Sequence, residues 1–207
     1  MPAKNSVKIY LEDVYYHIYN RGTGKSNIFL DEQDYKVFLH YLKKYLDQTS
    51  EYSLADKVKL LAYCLMPNHF HLFVYQITKE GLIKLMRALS TSYAMYFNKK
   101  YDRSGTIFQG IYKAVLVENE PYFLHITRYI HLNPAELTEN WEEYPYSSYG
   151  VYLGKNKIPW VDPSPVLAFF KEDRRQSSIF SKYFSYESFV EEYPSDSKME
   201  LGELSID

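Results

Sequence analysis

Residues 57–76 read KVKLLAYCLMPNHFHLFVYQ. Two apolar runs, 57–65 and 69–76, flank Met66-Pro67-Asn68. Each run has the length and the β-branched and aromatic content of a strand, and Pro-Asn is a turn signal. The stretch is therefore predicted to be a β-hairpin. On the second strand His69 and His71 share a face, and Phe70 points into the opposite layer, because strand side chains alternate. Two imidazoles one pleat apart can share a metal ion. The same spacing is met by two polar residues on a half-exposed strand.

Upstream of the hairpin, residues 14–20 read as a strand ending in the turn Arg21-Gly22-Thr23-Gly24-Lys25-Ser26. Gly-Thr-Gly-Lys-Ser invites a phosphate-loop reading, but the glycine required five positions before Gly24 is Tyr19. The segment is read instead as a glycine turn whose Arg21 and Lys25 can touch a phosphate backbone. Residues 31–46 place Tyr35, Phe38, Leu39, Leu42, Tyr45 and Leu46 at helical spacing behind acidic starters. Downstream, 81–98 has Leu82, Leu85, Met86, Leu89, Tyr93, Tyr96 and Phe97 along one broad face. A basic loop follows, then a strand at 111–117. A last helix, 121–133, is capped by Asn119 or Glu120 and ends near Asn133, because Pro134 disfavours helical geometry before it. The order βαββαβα predicts an α+β chain: a ferredoxin-like, four-stranded antiparallel sheet with helices on one face. Residues 1–155 form that domain. Residues 156–207 are a C-terminal appended segment ending in a loose acidic tail.

The chain has 207 residues and a formal net charge of −2. Residues 171–207 hold nine acids and five bases, a net of −4, which leaves +2 for the rest. Between Lys84 and Lys113, six bases (Lys84, Arg87, Lys99, Lys100, Arg103, Lys113) meet one acid, Asp102. Such a local surface can hold phosphates on a mildly acidic molecule, and it is equally a solvated helix face. The single cysteine, Cys64, excludes an intrachain disulfide. No apolar run has the length of a membrane span, and the opening Met1–Ser6 begins no apolar leader. The expected location is therefore cytoplasmic.

On the helix 121–133, Tyr129 and Asn133 are four apart and share a face, with His125 one turn earlier. Asn133 offers a carbonyl oxygen as a third metal ligand, and Tyr129 a phenolic oxygen able to attack phosphorus. The alternative is structural: Tyr129 in the core, Asn133 capping the helix and His131 at the surface.

Five segments in order carry a resemblance. They are Tyr16-His17-Ile18-Tyr19-Asn20-Arg21-Gly22, Leu65-Met66-Pro67-Asn68-His69-Phe70-His71-Leu72, Arg103-Ser104-Gly105-Thr106-Ile107-Phe108-Gln109-Gly110, Arg128-Tyr129-Ile130-His131-Leu132-Asn133-Pro134 and Tyr144-Pro145-Tyr146-Ser147-Ser148-Tyr149. Together, across residues 8–155, they resemble the REP-associated tyrosine transposases and their insertion-sequence-200-type relatives, single-tyrosine HUH endonucleases. The resemblance implies catalysis by Tyr129, His69, His71 and Asn133, with Mg²⁺ or Mn²⁺ held by His69, His71 and Asn133. It implies cleavage and rejoining of single-stranded or hairpin DNA through a 5′-phosphotyrosine, by a monomer or a homodimer. His125 and His131 are the nearby candidates for the phenolic proton. Arg21, Lys99, Lys100, Arg103 and Lys113 are expected at the DNA backbone, and Gln109 among the DNA-binding residues. Phe108, Tyr112 and Tyr149 are expected as exposed stacking rings. Two other readings keep the fold: a catalytically silent binder of nucleic-acid hairpins, and a metal-dependent nuclease that uses water.

Overall fold

The computed structural model describes residues 10–171 and 183–192. The expected acidic end, residues 193–207, and the opening Met1–Ser6 lie outside the described residues. Four strands, β1 (Val14–Arg21), β2 (Val58–Met66), β3 (His69–Gln76) and β4 (Lys113–Val117), form one sheet in the order β2-β3-β1-β4. Every neighbouring pair is antiparallel. This is the ferredoxin-like arrangement: β3 inserts between β1 and β2, whose connection is helix α1 (Glu32–Leu46). Helix α2 (Gly81–Lys100) connects β3 to β4. The predicted hairpin is present, with β2 paired to β3 from Val58↔Gln76 to Met66↔His69.

Helices cover both faces, where the sequence was read for one. α1 and α2 pack on one face with Tyr16, Ile18, Tyr63, Leu65, Phe70, Leu72 and Val74. Helix α3 (Glu120–Leu132) packs on the other, its Phe123, Leu124, Ile126 and Ile130 meeting Ala62, Cys64, Met66 and Phe73. The reason lies in β2, where every residue but Lys59 is buried. A strand that is apolar on both sides must be covered on both sides. A bulge between Leu60 and Ala62 re-phases the alternation: Val58 and Leu60 join the first core, and after the bulge Tyr63 and Leu65 do.

Helix termini follow the chain's own signals. Asp31 caps α1 in a reciprocal box with Asp34. Asn119 caps α3 by accepting from the Tyr122 amide, and Pro121 sits in its first turn. Beyond α3 come short helices α4 (Tyr149–Tyr152), α5 (Ser164–Leu167) and α6 (Tyr186–Glu191). Val166, Tyr186, Phe189 and Val190 are buried in the α3-side core. The Arg128 guanidinium lies 3.6 Å over the Phe189 ring, so α6 closes the outer surface of α3.

Candidate active site

β1 and β3 are the two central strands, and three histidines meet on their α3 face. His69 and His71 lie on β3; His17 on β1 sits diagonally across from His71. His17 Nε2 and His71 Nδ1 are 2.8 Å apart, and both rings are fully buried. Tyr129 approaches from α3. Its ring is edge-on to His71 at 5.1 Å between centroids and to His17 at 6.1 Å. Asn133, the C-cap of α3, brings its Oδ1 to 3.3 Å from His69 Nε2. Hairpin and helix thus gather His69, His71, Tyr129 and Asn133 in one place.

The hydrogen bonds around these groups fix which lone pairs face inward. Asn133 Nδ2 donates to the Tyr129 carbonyl at 2.8 Å, which turns Oδ1 toward His69. Asn68 Nδ2 donates to the Lys25 carbonyl at 3.3 Å, which turns its Oδ1 toward His69 Nδ1, 2.6 Å away. A neutral imidazole has one N–H, and the short contact to Asn68 takes it. His69 Nε2 and Asn133 Oδ1 therefore face each other as two lone pairs. His71 Nε2 is buried with no hydrogen-bond partner. Burial, with Arg21 nearby, lowers the His69 pKa; the Asn133 contact opposes this without reversing it. Burial, then the charges of His69 and His17, holds His71 well below the usual range. Both rings are thus neutral at pH 7, the form that ligates metals. Two neutral imidazoles and an amide oxygen fit a divalent cation, with Mn²⁺ the better match for the nitrogens. Among the described residues no group of three or more His, Cys, Asp or Glu is placed to hold a metal, so such a site depends on the Asn133 oxygen.

Two basic residues flank this face. Arg21 is the register partner of His69 and Lys113 that of Tyr19, and antiparallel partners point to the same side. Arg21 Nε donates to Gln109 Oε1 at 2.5 Å. The glycine turn docks beneath them: Gly22 N donates to the Asn68 carbonyl, and a Cβ at Gly22 would lie 2.0 Å from the Ser26 carbonyl oxygen. Lys99 and Arg103 are exposed, with the Arg103 guanidinium 5.6 Å over the Phe97 ring.

Other expected contact residues are placed elsewhere. Lys100 binds Asp31 and Asp34 at 2.7 and 2.8 Å, so its charge is engaged inside the fold. Phe108 is buried, edge-on to Phe70 at 5.9 Å, because the 107–109 loop zips onto the end of β1. Tyr149 is 1% exposed and donates to Glu191, so it is a core ring and not a stacking platform. Tyr112 is half-buried, its hydroxyl 3.0 Å from that of Tyr10. His131 is fully buried between Tyr186 Oη and Ser148 Oγ, and burial lowers its pKa to about 3, which removes it as a proton acceptor at neutral pH. The His125 ring packs 6.2 Å from Phe189. His17 was given no role by the sequence reading. Its parity on β1 was visible, but its register against His71 was not.

The family model of IS200-like transposases matches residues 10–133, which span β1 through the Asn133 oxygen. The chain belongs to the IS200-like transposase family. A solved structure of a REP-associated tyrosine transposase bound to a REP hairpin is similar to this transposase with a TM-score of 0.53. It is 13% identical and covers 77% of this chain and 91% of that one, a likeness of fold. A proposed transposase from Deinococcus radiodurans R1 is 17% identical over 60% of this chain and 94% of that one, with a TM-score of 0.41. No curated protein matches the chain. No helix among the described residues is long and apolar enough to cross a membrane.

Proposed function

We propose that this transposase cuts and rejoins single-stranded DNA beside a hairpin, with Tyr129 as nucleophile. The observation that carries the reading is the edge-on approach of Tyr129 to His71 at 5.1 Å, beside the point where His69 Nε2 and Asn133 Oδ1 turn lone pairs toward each other. His69, His71 and Asn133 would hold a divalent cation. When bound, it would supply positive charge beside a non-bridging oxygen of the scissile phosphate.

The chain's own groups account for the rest. Arg21, held by Gln109 and opposite His69, offers a guanidinium to the same phosphate. Lys113 extends the cationic rim toward the flanking strand. The Tyr129 phenol forms a bond from Oη to phosphorus and gives up its proton. The bond from phosphorus to the 3′ oxygen breaks, and that oxygen takes up a proton. A 5′-phosphotyrosine and a free 3′-hydroxyl result. One phosphodiester replaces another, so a second 3′-hydroxyl can reverse the step without ATP. Helix α3 holds Tyr129 four residues from Asn133, so the nucleophile and one of the groups that would hold the cation share one rigid element.

The test is incubation with hairpin DNA carrying a single-stranded flank, in Mn²⁺, followed by a denaturing gel. The wild type forms a covalent protein–DNA band, and Tyr129→Phe forms none while binding the DNA equally. Cleavage without an adduct overturns the nucleophile and favours attack by water. Binding without cleavage makes the chain a silent hairpin binder.

A further inference from the structure

We propose that His17 is the positioning residue of this site: its Nε2 accepts the Nδ1–H of His71 and so keeps the His71 Nε2 lone pair aimed at the cation. This rests on the metal-bearing site proposed above. The hydrogen bond is 2.8 Å, both rings are fully buried, and the rings stack at 5.1 Å with 15° between planes.

The His17–His71 pair has two self-consistent proton arrangements. In one, His17 Nε2–H donates to His71 Nδ1, and the proton of neutral His71 sits on Nε2, which then cannot be a ligand. In the other, His71 Nδ1–H donates to His17 Nε2, and His71 Nε2 carries a lone pair. Only the second is compatible with a metal ligand. Neither His71 Nε2 nor His17 Nδ1 has a protein partner that would hold a proton, so it is the cation at His71 Nε2 that selects the second arrangement. His69 is set in the same way, with the Asn68 oxygen as its acceptor. The two ligand histidines are therefore each oriented through Nδ1 by a side chain from outside the ligand set. His17 also meets the Tyr129 ring edge-on at 6.1 Å, and Tyr19 lies 5.1 Å from it. His17 is fully buried and touches both the proposed ligand and the proposed nucleophile.

The experiment compares three substitutions. His17→Gln places an oxygen acceptor near the position of Nε2. His17→Asn keeps a polar amide but is too short to reach His71. His17→Leu removes polarity altogether. Mn²⁺ affinity is read by electron paramagnetic resonance or calorimetry in the absence of DNA, with thermal melts run in parallel. Losing an outer partner of a ligating histidine lowers metal affinity about 10–100-fold. That loss is expected for Asn and Leu, while Gln stays within about threefold of wild type. Adduct formation at subsaturating Mn²⁺ falls in the same order and recovers for Asn at high Mn²⁺. Wild-type Mn²⁺ affinity in all three variants overturns the role of His17 and leaves the tyrosine-transposase reading standing. A wild type that binds no Mn²⁺ overturns both. Should Leu fail to fold, the Gln and Asn pair decides, because both are polar and only one reaches His71.

Discussion

Lys100 offers the sharpest test, since its position in a basic stretch argues for DNA and its structure argues for the fold. Its ammonium donates to both Asp31 oxygens at 2.7 Å and to Asp34 at 2.8 Å. The Asp34 side chain is wholly out of solvent, while that of Lys100 retains 21% exposure. Asp34 also accepts from the Leu30 amide at 2.8 Å, Tyr96 at 2.8 Å and Tyr101 at 2.7 Å. Lys100→Met leaves that carboxylate buried without its counter-charge. Breaking a buried pair costs about 3–5 kcal/mol. The remaining hydrogen bonds and the partial exposure of Lys100 bring the expected loss to about 2–3 kcal/mol. For a chain of this size that is a fall in Tm of about 5–10 °C, read by circular dichroism. Asp34→Asn combined with Lys100→Met removes both charges and recovers part of the loss, a coupling seen in a double-mutant cycle. Hairpin affinity at 0.1 M salt changes by less than about twofold, because the charge is already neutralised within the fold. An unchanged Tm together with a tenfold loss of DNA affinity would refute the reasoning and return Lys100 to the DNA-contacting set.

Burial alone would raise the Asp34 carboxyl pKa, but hydrogen bonds from Lys100, the Leu30 amide, Tyr101 and Tyr96 outweigh it and hold it below 3.8. Its stabilisation is therefore present above that pH and lost as pH falls through the folded value; an acid titration of Tm shows this loss, and Asp34→Asn flattens it. Asn133→Ala weakens adduct formation less than His69→Ala or His71→Ala, because water replaces one neutral oxygen more readily than an imidazole; chelator abolishes the adduct in the wild type, and full-rate cleavage in excess chelator would remove the metal from the mechanism. Replacing Arg21 and Lys113 together by alanine lowers affinity for every hairpin and reduces the salt slope by up to about 2, without moving the cut site; a binding titration at two salt concentrations checks it. Phe189→Ala, at a fully buried ring of α6, costs about 3–5 kcal/mol by denaturant titration, whereas an appended helix that carried no core would cost almost nothing.

Legible in the sequence were the element order, the hairpin, the acidic start of α1, a cap for α3 at Asn119 or Glu120, and the shared faces of His69 with His71 and of Tyr129 with Asn133. All of these are local: a strand alternates with period 2, a helix turns every 3.6 residues, and Asp31, Asn119 and Pro134 act within a turn of where they stand. Tertiary structure alone decided what lies across strands and between layers. The register of β1 on β3 brings His17 to His71, and that pairing joins two residues 54 positions apart in the chain. Whether a basic or aromatic side chain is outside or inside was equally non-local. Lys100 turns inward because Asp31 and Asp34 stand at the start of another helix. Tyr149 is covered because α6 packs over it, with Glu191 taking its hydroxyl. Side-chain type fixes what chemistry a residue can do; the packing of distant segments fixes whether water, DNA or the core is what it meets.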